Sequence, residues 1–570
     1  MSSRTAARKR GGAFLRCVMC VQKFWIKYNR AVLALGLSLG LMVLFRCFGV
    51  MVYDTNDDTI MAAVSYGYYG TPQAGLVYIH PWLGAALAAL QRAIPGISWY
   101  FLAELGILGL SMAVLFRLYL DRAGGWQAVP GLALLSLLFV YTMLFRLQYT
   151  KIAGCSAAAG ALLLLYAVRE ARGIGTYLLG FLLALAGFCL RSAAFFMVLI
   201  PLAGVGAAGL LSDLRGGNGR RGLKLAGVFV LLFALCGGLL WGQNRFYASD
   251  SQWAAYQRYN TLRTELMDYG FPDYGENRAL YESLGISEED LALYKSWDFG
   301  DPERFNADVM QALVDAKPRQ GFSAGRLLQC VKGAVQGLMR YDFFACLLLA
   351  ALLWLIASDK KGLLVGAYAL AALFGTEAWL LYTGRGLRER VDSPLVLTAA
   401  VILLLYTKRG ERKELESRAC GVLAAVMVLS QCPELLSRKD EAMERYVGGA
   451  HIQAAYRELS EDRQTLYFFR TDELPADLLP GRQGGFGYYS NIAVLGGWLT
   501  ESPYVKARNA AYGVENPFRN LVNGEHVRLV SNDPEPVLAY IRAHYAPDAR
   551  AVRTGEVRGE YTVWQIAATK

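Results

Sequence analysis

The 570-residue chain is 55% hydrophobic, has a mean hydropathy of +0.28 and carries a formal net charge of +11. The apolar excess falls in charge-free blocks of roughly 17–22 residues, the length that crosses a hydrocarbon core, which excludes an ordinary soluble globular protein. The positive charge follows the flanks of those blocks, so no nucleic-acid partner is expected.

Residues 1–30 form a basic arm. Arg4, Arg8, Lys9, Arg10, Arg16, Lys23, Lys27 and Arg30 stand there without an acid, as on the cytosolic flank of a first membrane helix. Cys17 and Cys20 form a C-x-x-C with no second pair nearby, so a metal site is not expected there. Most of the ten cysteines lie in apolar blocks, and no disulfide framework is visible. The apolar run 31–53 is too long for a cleaved signal and predicts a retained anchor with its N-terminus inside.

A polar loop follows, starting at Asp54, Asp57 and Asp58. The stretch 77–94 is interrupted by His80-Pro81 and closed by Pro95-Gly96; it predicts an interfacial helix rather than a span. Spans are then predicted at 98–120, 127–147, 151–168, 174–190, 193–211 and 224–243. With that register the loops bearing Arg117/Arg122, Arg169/Arg172 and Arg215–Lys224 fall inside, as the positive-inside tendency requires. Arg146, Lys151 and Arg191 then face outward, near the membrane surface.

Residues 244–340 contain no spanning block and predict an outer helical insert. Ser287 and Asp301 read as helix caps, and 322–339 reads as an amphipathic helix leaning on the membrane. Four more spans are predicted at 341–357, 362–382, 394–407 and 419–436. The tail 437–570 shows strand-like runs at Thr465–Arg470, His526–Val530 and Glu560–Ile566, and a helix near Glu535–His544. The expected fold is mainly α: a polytopic membrane protein of about eleven transmembrane helices, with an outer helical insert and a small outer α/β C-terminal domain. Its segments are the arm 1–30, a membrane domain 31–243 with first outer loop 54–97, the insert 244–340, the membrane helices 341–436 and the tail 437–570.

Three features carry candidate chemistry. Asp54, Asp57 and Asp58 sit at a membrane mouth, where a carboxylate can act as general base toward a hydroxyl or bind a divalent cation such as Mg or Mn that shields a phosphate. Spacing leaves both roles open, beside the plainer one of a solvated loop start. His80, in Ile79-His80-Pro81-Trp82, is a pocket candidate or a structural interface residue. The loop Gly384–Pro394 turns Arg385, Arg388 and Arg390 outward, against the usual charge rule; guanidinium forks suit a lipid phosphate, and headgroup snorkelling is the alternative. Arg191, and Lys151 beside Gln148 and Tyr149, belong to the same outward basic set. Walker A, GxSxG, HExxH and paired CxxC motifs are absent.

In order along the chain, these residues resemble the GT-C class of integral membrane glycosyltransferases. Asp57-Asp58 fits the essential acidic pair after the first helix, with Asp54 as an alternative. His80-Pro81-Trp82-Leu83 is similar to the H-P-P-L or K-P-P-L element of protein O-mannosyltransferases and aminoarabinose transferases, but lacks the second proline. Leu190-Arg191-Ser192 resembles an R-x element between middle helices, and Arg385–Pro394 the late arginine loop. The resemblance covers residues 31–410; the tail is similar to small outer domains appended to bacterial members. It implies a polyprenyl-phosphate-linked sugar donor, a cell-envelope acceptor and a multi-pass location in the cell membrane, with the C-terminal domain extracytoplasmic. Asp57 or Asp58 would then activate the acceptor, and Arg385, Arg388 and Arg390, with Arg191 and Lys151, would bind the donor phosphate. Tyr149 and His80 would line the pocket. Two other readings stay open: a lipid or polysaccharide transporter or flippase, with Glu104 and Glu377 inside spans, and a scaffold that binds through its tail.

Overall fold

Runs of Leu, Ala, Val and Gly that meet no water must satisfy their backbone within the segment, and a helix does so. A computed structural model describes residues 30–123, 128–318, 321, 323–407, 414–471, 479–481 and 484–569, of which the side chains of 414–421 are excepted. Most of the basic arm, with Cys17 and Cys20, and the stretch 408–413 lie outside the described residues. The structure is 68% helical.

Helix α1 (Arg30–Phe48) is followed by a short strand β1 (Val52–Tyr53), α2 (Asn56–Tyr66), α3 (Pro81–Ala93) and α4 (Trp99–Arg122). Next come α5 (Val129–Phe139), which continues as a π turn over Val140–Leu144, strand β2 (Arg146–Leu147), α6 (Tyr149–Arg169), α7 (Ile174–Leu190), α8 (Ser192–Arg215) and α9 (Gly219–Ala248). Among the described residues six helices, α1, α4, α6, α8, α9 and Lys360–Tyr382, are long and apolar enough to cross a membrane. α5 with its π turn, and α7, are apolar but shorter.

α3 has 13 residues. At 1.5 Å per residue it reaches about 20 Å, short of a core of about 30 Å. The break expected at Arg191 is present: α7 ends at Leu190, Arg191 is extended, and α8 starts at Ser192. α6 lies at the centre, with 94% of its apolar window buried. Its small residues allow that: a Cβ on Gly160 would stand 2.4 Å from the Ala184 backbone nitrogen of α7, and one on Gly154 2.4 Å from the Pro394 ring.

The insert comprises α10 (Ser251–Tyr269), α11 (Arg278–Ser283), α12 (Glu288–Lys295), α13 (Ala307–Asp315) and α14 (Ala324–Leu338). Ser287 caps α12 reciprocally with Asp290, as its sequence suggests. Asp301 instead accepts from the Glu303 and Arg304 amides in a turn that does not continue as a helix. α14 exposes Leu328, Val331 and Val335, with Met339 exposed at its end, and meets α15 (Phe343–Ala357) at 103°. α16 (Lys360–Tyr382), α17 (Glu389–Leu405), α18 (Glu414–Ser430) and α19 (Cys432–Leu459) follow. Two boundaries differ from expectation. The block 419–436 breaks where Pro433 opens α19, and α19 runs through residue 437, so no linker separates the tail there.

The tail sheet has β3 (Leu466–Phe469), β4 (Ile492–Val494), β5 (Val527–Val530), β6 (Arg550–Val557) and β7 (Tyr561–Ala567) in the order β4-β3-β5-β7-β6. β4, β3 and β5 are parallel; β7 and β6 form an antiparallel hairpin at one side. Helices α20 (Pro503–Ala511), α21 (Pro517–Leu521) and α22 (Glu535–His544) complete it. β4 and β6 escaped the sequence reading: β4 is three residues long, and β6 is largely exposed with polar residues on both faces.

Insert and tail were expected as separate units, yet they share one core. Tyr294 and Phe305 of the insert pack with Tyr540 of α22, and buried Arg470 donates to buried Asp298 at 3.2 Å. The backbones touch where Gly300 N donates to the Leu495 carbonyl at 2.6 Å and Gly496 faces the Trp297 carbonyl. A Cβ on Gly496 would stand 1.7 Å from that carbonyl oxygen. Gly496→Ala is therefore expected to lower the unfolding temperature of the purified chain, by the equivalent of about 1–3 kcal/mol, and to expose the insert–tail seam to protease.

Candidate active site

β1 and β2 pair in parallel, Val52 with Arg146 and Tyr53 with Leu147, and the Asp54 amide donates to the Leu147 carbonyl at 2.9 Å. That pairing draws the acidic loop after α1 onto the start of α6. Asp54 then lies 3.2 Å from the Lys151 ammonium and 4.0 Å from Arg146. Lys151 also reaches Glu389, the first residue of α17, at 3.0 Å. Burial alone would raise the Asp54 carboxyl; the Lys151 and Arg146 charges outweigh it and hold it below the ordinary range.

Asp57 and Asp58 occupy the first turn of α2, where the exposed amides of the helix start favour negative charge. Their surroundings differ. Asp58 is fully buried and accepts from Tyr149 N at 3.0 Å and the Tyr100 hydroxyl at 3.1 Å. Its other oxygen meets no N–H or O–H donor, but it stands against the equally buried Glu104 carboxyl of α4. Two carboxyls in that contact need a proton between them. Burial, aided by the nearby charge of Asp57, pushes Asp58 up to about 7. Asp57 faces open space and accepts from Arg390 at 2.7 Å.

Arg390 stands in the first turn of α17, and Arg385 and Arg388 come from the turn between α16 and α17. Gly384 permits it, since its φ of +88° suits glycine. α17 starts at Glu389, five residues before the expected proline start at Pro394, which lies inside the helix. Arg385 stands 3.8 Å from Asp268 of α10.

Beside these residues lies a cavity of about 550 Å³. Of the ten residues proposed from sequence, Asp57, Tyr149, Arg191, Arg385, Arg388 and Arg390 line it. Asp54, Asp58 and Lys151 do not; they lie behind its wall, Asp54 and Lys151 in their ion pair and Asp58 against Glu104. His80 is also elsewhere. Its Nδ1 accepts from the Trp82 amide at 3.2 Å and its Nε2 contacts the Leu239 carbonyl at 2.9 Å, so it caps α3 and ties it to α9. Burial depresses the His80 pKa, which suits that neutral structural role.

Other lining residues escaped the sequence reading. α10 contributes Arg263 and Asp268, the insert Trp297, and the tail Tyr489, Trp498 and Arg508. The one available signal was the Gly496-Gly497-Trp498 turn after a short apolar run, the mark of a strand end where backbone must pass closely. Arg191 lies over the Tyr78 ring at 5.0 Å, and Arg263 over Trp297 at 5.3 Å. Among the described lining residues six guanidiniums (Arg191, Arg263, Arg385, Arg388, Arg390 and Arg508) face two carboxylates, Asp57 and Asp268. Ile60, Met197, Val198 and Leu395 form an apolar wall reaching into α8 and α17. The arrangement can bind an anionic group, with one carboxylate beside it and an apolar surface for an alkyl chain. Among the described residues no group of three or more His, Cys, Asp or Glu is placed to hold a metal ion.

The Asp58 shift carries a pH dependence. A carboxyl raised from 3.8 to about 7 binds its proton better in the folded state. Its stabilisation is full below about pH 4 and is lost as pH rises through 7, at about 1 kcal/mol per pH unit. Thermal unfolding between pH 5 and 8 is expected to show that decline, and Asp58→Asn to flatten it. A wild-type profile flat over that range would contradict the shared proton. No known family model, curated protein or solved structure matches the chain, so its function has to be inferred from the geometry of the cavity.

Proposed function

We propose that the chain is a membrane glycosyltransferase that moves a sugar from a polyprenyl-phosphate donor to an acceptor on the outer face of the cytoplasmic membrane. One observation carries this reading. Asp57 and the arginines of the α7–α8 break and the α16–α17 turn line a single cavity whose apolar wall continues into helices α8 and α17. A donor of this class has an anionic phosphate joined to a long hydrocarbon, and the cavity offers a surface for each.

In this mechanism Arg385, Arg388, Arg390 and Arg191 hold the donor phosphate. Arg390 exchanges Asp57 for the phosphate, which leaves the Asp57 carboxylate free to take the proton of the acceptor hydroxyl. The acceptor oxygen bonds to the sugar's anomeric carbon as the carbon–oxygen bond to phosphate breaks. The polyprenyl phosphate departs with the electron pair, and the guanidiniums stabilise its charge. They take the charge-neutralising place that the sequence leaves open to Mg or Mn. Asp58 positions Tyr149, and Asp54 and Lys151 position the two loops. The topology we propose keeps about eleven spans, with 341–357, 394–407 and the shorter apolar helices among them, the N-terminus cytosolic, and insert and tail extracytoplasmic.

One observation favours a transporter instead. Glu104 of α4 meets Asp58, and Glu377 of α16 meets Asp392; several of their oxygens are buried without a donor. Buried carboxyl pairs between apolar helices suit proton-coupled movement of a substrate. Proteoliposomes supplied with a polyprenyl-phosphate sugar, and with a cell-envelope extract as the source of acceptor, separate the readings. Wild type is expected to release free polyprenyl phosphate and a glycosylated product, and Asp57→Asn to slow this by at least about 100-fold with unchanged insertion. Full transfer by folded Asp57→Asn would contradict the role of Asp57, and movement of the lipid without bond cleavage would favour the transporter.

A further inference from the structure

The cavity is basic beyond the needs of one lipid phosphate, and its basic groups are not alike. Arg385 and Arg390 have Asp268 and Asp57 beside them. Arg508, from α20 of the tail, has no carboxylate at ion-pairing distance among the described residues, although it is only 7% exposed. Burying a charge without a counter-charge is costly, and burial pushes the Arg508 pKa down to about 10.

Its guanidinium is nonetheless held in one orientation. Nη1 donates to the Ile492 carbonyl at 2.7 Å; Nε and Nη2 donate to Asn509 Oδ1 at 3.2 and 3.1 Å; the group lies 5.9 Å from the Tyr69 ring. Three of the five N–H groups of an arginine are thus used, and one on each terminal nitrogen is left for a ligand, the fork that fits two oxygens of a phosphate or carboxylate. The place is apt. β3 and β4 are parallel, and Thr471, Gly496 and Gly497, which follow their carboxyl ends, line the cavity. In open parallel sheets the crevice beyond those ends is where ligands bind.

We infer that Arg508 forms a second anion subsite, separate from the Arg385–Arg390 loop, and that the molecule receiving the sugar carries a phosphate or carboxylate held there. The assignment of that ligand as acceptor rests on the transferase reading; the subsite itself does not. The buried charge of Arg508 is then neutralised only when the acceptor is present.

The test uses the full chain in detergent, with farnesyl phosphate as the lipid-phosphate probe and inorganic phosphate or glucuronate as the small anion. With farnesyl phosphate saturating, one of the small anions is expected still to bind and to raise the unfolding temperature; the tighter of the two names the acceptor's group. Arg508→Gln should weaken that binding by at least about tenfold, leave farnesyl phosphate affinity within about twofold, and not lower the unfolding temperature of the unliganded protein. An arginine that merely braced the fold would give the opposite pattern, with lower unliganded stability and unchanged anion binding. Complete displacement of both small anions by farnesyl phosphate, or anion binding intact in Arg508→Gln, would overturn the subsite. Should Arg508→Gln not fold, Arg508→Lys decides: it keeps the charge and loses the fork, so weaker anion binding supports the subsite and unchanged binding overturns it. Small-anion binding that depends on Arg508, with no farnesyl phosphate binding at all, would overturn the transferase reading and leave the subsite standing.

Discussion

Lys151 is wholly buried, and a buried ammonium needs counter-charges close by. It has two, from different parts of the chain: Asp54, which follows α1, and Glu389, which opens α17. Arg146 reinforces the same pair and adds Glu441 of α19; Arg438 adds Asp342 beside α15. Each buried charge in the cluster shares its compensation between different parts of the chain, so the loops are tied to one another. The arginine turn is covalently continuous with Glu389, and Asp57 lies three residues from Asp54. The ion-pair cluster therefore sets how Arg390 and Asp57 meet.

Burial divides the labour. Three aspartates stand within five residues of sequence, yet each has its own environment. Asp54 is fixed as a counter-ion, Asp58 is kept protonated or shared with Glu104, and Asp57 alone looks into the cavity. The same sorting separates the basic residues. Lys151 holds structure, whereas Arg191, Arg385, Arg388 and Arg390 face open volume together with Arg263 and Arg508. The insert and tail line that volume through Arg263, Trp297, Trp498 and Arg508, and their backbones touch at Gly300 and Gly496.

The helices were legible because their period and length are set locally. Charge-free blocks marked α6, α7 and α16 within a few residues, and the stretch 77–94, expected to be an interfacial helix, contains the 13-residue α3. Order along the chain also brought together Asp57, Arg191 and the Arg385–Arg390 turn, since each stands at a break between apolar blocks. What escaped depends on contacts distant in sequence. Nothing near Lys151 says that Asp54 and Glu389 will occupy its charge, and nothing near His80 says that the Leu239 carbonyl will. Arg263 and Arg508 reach the cavity only because insert and tail fold into one core, and that core has no local signature: β4 is three residues long and α19 runs straight through the expected boundary. Among the described residues six helices are long and apolar enough to span alone; the remaining expected spans are shorter or bent.

The proposed transferase requires that acidic loop, arginine turn and tail share one side of a membrane and close on one cavity. In a functional chain lacking its native cysteines, single cysteines at Asn56, Gly386 and Glu525, all exposed positions, would be exposed to a membrane-impermeant thiol reagent in sealed cells and in inverted vesicles. All three are predicted to react in intact cells and none from the cytosolic side. Reaction of Gly386→Cys from the cytosolic side, with Asn56→Cys reacting from outside, would contradict the shared side and with it the proposed site.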